Sequence, residues 1–140
     1  MSLHTRSPAL LAGRRVAWLA AGDALALLVF AAIGRASHGE DAGLGALVQV
    51  AETAAPFVIG WFAVAPLAGA FRSDVAGAPR RMLLRTALAW LLAWPVGLGL
   101  RALIRQTAIP VSFALVTFGT VLAIMMIWRG AYALLAARRG

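Results

Sequence analysis

The 140-residue chain carries five acidic and thirteen basic side chains, and several of them stand where chemistry in a membrane would need them. Asp23 lies inside the apolar run VAWLAAGDALALLVFAAIG. A charge near the bilayer centre costs about 2.5–3.5 kcal/mol on insertion scales, so such a residue faces the bundle interior and has a partner. Arg85, near the start of a third apolar run, and Arg129, closing a fourth, are the partners within reach. Two chemistries fit: a structural ion pair or neutral hydrogen-bonded carboxyl, and a proton or cation site. A second group gathers at the other ends of the runs. Gln49 and Glu52, three residues apart, share one helical face, and Arg101 and Arg105 are one turn apart. With Arg35, His38, Glu40 and Asp41 they make a polar outer mouth, either a solvated loop anchored by a Glu–Arg pair or a gate. His38 with two loop carboxylates contains metal-ligand residue types, but one histidine is a weak signal, and neither a metal nor a cofactor is expected. HExxH, GxSxG and Walker motifs are absent, there is no cysteine, and no residue is assigned a catalytic role.

The elements that must hold these residues follow from composition. Apolar residues make up 62% of the chain and charged ones only 13%, roughly half the usual charged share of a soluble domain. All of the basic residues are arginine. They flank the apolar runs instead of lining one stripe, so a net charge of +8 does not signal nucleic acid. The expected partner is the lipid bilayer. A spanning helix needs about 20 apolar residues, and four segments qualify: 16–34, 48–71, 82–104 and 109–128. The first is too long for the apolar core of a signal peptide and contains Asp23, so it reads as a retained helix. Short connections make neighbouring helices antiparallel. The expected fold is all-α: a single domain over 1–140, an up-down-up-down bundle of four transmembrane helices.

Ten arginines (6, 14, 15, 72, 80, 81, 85, 129, 138 and 139) fall on one side and three (35, 101 and 105) on the other. The richer side belongs in the cytoplasm, which puts 1–15 and 130–140 there as cytoplasmic ends of a protein of the bacterial inner membrane. Pro56, Pro66 and Pro95 within helices read as packing kinks. Gly60, Ala65, Gly69, Gly97 and Gly99 permit close helix approach. Trp18 and Trp128 suit the interface belt, and Trp61, Trp90 and Trp94 lie deeper, either packing in the bundle or lining a ligand site.

The segments GDALALLVFAAIGRASHG, TAAPFVIGWFAVAPLAGAF, WPVGLGLRALI and IWRG, in that order, resemble the prokaryotic membrane family catalogued as domain of unknown function 3054, over about residues 16 to 134. The resemblance points to Gly22, Asp23, Arg35, His38, Pro56, Phe57, Gly60, Trp61, Pro66, Gly69, Arg101, Trp128 and Arg129, and implies no activity. Three functions are carried forward. The first is a structural, assembly or accessory membrane component, alone or in a larger complex. The second is a small homo-oligomeric transporter or channel using Asp23, and the third a lipid-acting intramembrane enzyme using His38 or Glu52.

Overall fold

With no water in the bilayer core, a spanning backbone must satisfy its own hydrogen bonds, and an apolar run does so as a helix. The structure, a computed structural model, describes residues 7–37 and 43–140. The helices are α1 (Pro8–Ser37), α2 (Leu44–Val64), α3 (Ser73–Ala76), α4 (Pro79–Arg105) and α5 (Val111–Arg139). All but α3 are long and apolar enough to cross a membrane, and no strand occurs among the described residues. The chain is a multi-pass membrane protein built as a helical bundle. Going round it, α1 packs on α2, α2 on α4, α4 on α5, and α5 back on α1. The core between them is aromatic and small at once: Phe57, Trp61 and Trp90 are buried beside Ala54, Ala89 and Ala93.

Small residues decide the closest approach. A Cβ on Gly60 of α2 would stand 3.0 Å from the Ala93 carbonyl oxygen and 3.1 Å from the Gly97 nitrogen of α4. One on Gly97 would stand 2.4 Å from the Phe57 ring. Gly99, by contrast, faces open space. Trp90 and Trp94 tie α4 to α5, their indole N–H groups donating to the Phe118 and Ala114 carbonyls at 3.0 Å each.

Several boundaries differ from the hydropathy reading. α1 and α5 run on past the apolar segments, from Pro8 and to Arg139, so the arginine-flanked ends are helical. Pro110 precedes α5 as its N-cap instead of sitting in its first turn. The largest change is in the second segment, expected to run to residue 71: α2 ends at Val64, and Pro66 lies beyond it. Pro66 cannot donate to the Phe62 carbonyl. The chain then closes through Gly69 at φ 79°, with Ala70 N–H donating to the Ala65 carbonyl at 3.0 Å and Gly69 N–H to the Pro66 carbonyl at 3.2 Å. This 6→1 and 5→2 pairing around a left-handed glycine is a Schellman closure.

Beyond it, α3 was not foreseen. It buries Val75 against Leu19, Met82 and Ala133 and so covers that end of the bundle. On its outer side the Arg72 Nε donates to Asp74 at 2.9 Å. That bond holds the Asp74 carboxyl below its usual range.

Candidate functional site

One end of the bundle is closed around a buried ion pair. Along α5 the residues Thr117, Val121, Met125, Arg129 and Ala133, four apart, are all buried, and this stripe carries the Arg129 side chain inward with no exposed surface. On α1, Asp23 lies on the buried face with Leu19, Ala26 and Leu27. The two meet in a fork. Arg129 Nε donates to Asp23 Oδ1 at 2.8 Å and Nη2 to Oδ2 at 2.6 Å. Trp61 Nε1 adds a bond to Oδ2 at 3.0 Å, and Trp128 Nε1 one to Oδ1 at 3.1 Å. Each carboxylate oxygen therefore accepts two N–H bonds, and the charge-assisted ones are of the stronger kind.

The rest of the guanidinium is also occupied. Nη1 donates to the Ala70 carbonyl at 2.7 Å and lies 3.4 Å from the Met82 sulfur. The cation sits 4.8 Å from the Phe71 ring centre and 5.2 Å from that of Trp61, a stabilising position in a desolvated site. The Schellman turn at Gly69 thus has a purpose beyond ending a helix: it presents Ala70's carbonyl to Arg129. A buried pair is tolerable only when its remaining polar atoms are satisfied in this way.

The other end is open. Between α1, α2, α4 and α5 lies a cavity of about 820 Å³. Arg35 comes from α1, Gln49, Glu52 and Thr53 from α2, and Arg101 and Arg105 from α4. Arg35 Nη1 donates to the Gln49 side-chain oxygen, linking the facing ends of α1 and α2. Arg101 lies over the Phe113 ring at 4.4 Å. Phe30, Ala31, Phe113 and Val116 give the wall an apolar part, and Ser112 and Thr117 add hydroxyls from α5.

The family model described as protein of unknown function (DUF3054) matches residues 20–132. The chain belongs to that family. No curated protein and no solved structure matches it. The matched region contains Asp23, Arg129, their hydrogen-bond partners and every cavity residue named above.

Of the residues singled out from the sequence, Asp23 and Arg129 come together. Arg85 does not join them: it is exposed on α4, and its Nη1 donates to the Ala68 carbonyl at 3.3 Å. Arg35, Gln49, Glu52, Arg101 and Arg105 share the cavity. His38, Glu40 and Asp41 lie outside the described residues. Sequence reasoning missed the two indole donors, with Trp128 assigned to the interface belt, and it missed Thr117, Ser112 and Phe113. A carboxylate inside an apolar run needs several donors, and tryptophan is one of the few apolar-tolerant residues that has one.

Gly22 exists for the same contact. A Cβ there would lie 1.9 Å from Trp128 Cζ2 and 2.1 Å from Cε2, so the indole stacks directly on the α1 backbone. Gly22→Ala is expected to displace the Trp128 ring and break its bond to Asp23. The expected cost is about 1–3 kcal/mol, read as a lower thermal midpoint in detergent with a changed tryptophan emission. An unchanged emission spectrum would contradict the placement.

Proposed function

We propose that this protein is a small structural or assembly component of the cytoplasmic membrane, acting within a homo-oligomer or larger membrane complex. In this reading the Asp23–Arg129 pair holds the fold closed and carries no protons. One observation supports it above the others: both Asp23 oxygens are saturated by N–H donors in a site with no exposed surface. A proton carrier must exchange its proton with water. Here protonation would remove an acceptor from a guanidinium that has no other anion beside it, and Asp23 does not line the cavity.

The transport reading keeps one observation in its favour, the polar cavity entering the bundle from the Arg101 end. Proteoliposomes separate the two. Purified folded protein is expected to pass no protons or cations over a range of pH and membrane potential. A flux abolished by Asp23→Asn, with folding of both proteins verified, would overturn the reading.

Both ends of the chain belong in the cytoplasm, by the excess of arginine at the ends and in the α2–α4 connection. The sequence has no cysteine, which makes this easy to check. On intact cells, Thr107→Cys in the α4–α5 connection should react with a membrane-impermeant maleimide. Gly140→Cys should react only after permeabilisation, and the reverse pattern would invert the topology.

A further inference from the structure

Arg101 and Arg105, four residues apart on α4, both line the cavity. Like charges at that spacing repel unless an anion lies between them. Glu52 stands on the facing α2 wall, yet no ion pair joins it to either arginine among the described residues. The Phe113 ring fixes the Arg101 guanidinium from one side. Its Nη1 is shut off from solvent and has no hydrogen-bond partner among the described residues.

A second orphan lies deeper. Thr117 has no exposed surface and lines the same cavity, and its hydroxyl also has no partner among the described residues. Buried polar atoms of this kind are rare and call for an explanation. The start of α5, which has no side-chain cap, borders the same cavity. Its first N–H groups lack helical acceptors, and the helix dipole puts positive potential there. Ser112 and Phe113 of that first turn line the cavity. Arginine forks and a helix N-terminus together suit the three-oxygen geometry of a phosphate. The apolar wall of Phe30, Ala31 and Val116 leaves room below for a less polar portion, and about 820 Å³ is the volume of a drug-sized ligand site.

We propose that this cavity binds a phosphate-bearing amphiphile. The phosphate lies between Arg101, Arg105 and the first turn of α5, and an ester or hydroxyl oxygen of the ligand bonds Thr117. The site is independent of whether the protein acts as an assembly component or moves ions.

The phosphate can come from a membrane phospholipid or from a soluble phosphate, and the test has an arm for each. Detergent-purified full-length protein is titrated with dihexanoyl phosphatidylglycerol, with inorganic phosphate, and with dihexanoylglycerol as a control that lacks phosphate, followed by native mass spectrometry. Saturable binding of the phosphatidylglycerol is expected, weakened about tenfold or more by Arg101→Gln with Arg105→Gln. Thr117→Val, which keeps the side-chain shape, is expected to weaken it about threefold to tenfold. Arg80→Gln, at the opposite end, should leave it unchanged. Binding of phosphatidylglycerol without displacement by phosphate assigns the site to lipid; displacement by phosphate assigns it to the free anion. No saturable binding of either by folded wild type would overturn the proposal. So would equal binding of the phosphate-free dihexanoylglycerol, or affinity unmoved by the arginine and threonine changes. Circular dichroism and the thermal midpoint of each variant distinguish lost binding from lost folding.

Discussion

Arg129→Met is expected to lower the thermal midpoint of the purified protein by roughly 10–20 °C, taking about 3–5 kcal/mol for removing one partner of a buried pair. The substitution leaves the Asp23 carboxylate with two indole donors and no counter-charge among the described residues, in a site with no exposed surface. It also frees the Ala70 carbonyl, which Arg129 holds at 2.7 Å. Asp23→Asn should cost a comparable amount for the opposite reason. It strands a guanidinium, and the new amide points a donor at groups that are themselves donors. The informative variant is the double one. Asp23→Leu with Arg129→Met removes both charges and leaves apolar groups of similar bulk, an exchange that is often neutral or stabilising. It should recover most of the loss. A double variant as unstable as the sum of the singles would mean that the two residues act separately and that the fork is not the source of the effect.

Gly60→Leu is expected to be the next most damaging change. At this position even a Cβ meets backbone: the Ala93 carbonyl at 3.0 Å and the Gly97 nitrogen at 3.1 Å. Backbone cannot rotate aside as a side chain can, so α2 and α4 must separate and the Phe57–Trp90 core between them loses its packing. Overpacking of this sort costs about 1–3 kcal/mol and sometimes more, or about 5–15 °C in midpoint. Gly99→Leu is the built-in comparison, because no atom beyond its own turns of helix lies within 4 Å of an added Cβ. It should be nearly silent. If both leucines were equally harmful, close approach of α2 and α4 would not explain the need for glycine at Gly60.

The four spanning helices were legible because the bilayer imposes a length and an apolar composition that few other folds share. Their phases were not. In a soluble helix the polar face marks the outside, but here the lipid-facing side is apolar too, and Leu67 and Ile127 are as exposed as they are hydrophobic. Hydropathy placed Arg85 and Arg129 at the same depth and could not separate them. What separates them is a stripe: Arg129 is in step with Val121, Met125 and Ala133, whereas Arg85 lies one residue off the buried series of Met82, Thr86 and Ala89. The end of α2 was hidden for a related reason. The residues after Val64 stay apolar because the turn packs around Arg129, so composition showed no break where the backbone has one. The cavity residues were found from their polarity and level, and the α5 wall was overlooked because Thr117 and Ser112 are too small to stand out in an apolar run.

The partners of the fork are 106 residues apart. A ribosome inserting this chain delivers the acid early and the guanidinium late, after three further helices have entered. Until then α1 holds an uncompensated carboxylate, and a polypeptide broken off before Arg129 holds one permanently. Only a chain that extends through Arg129 can bury Asp23 against a counter-charge.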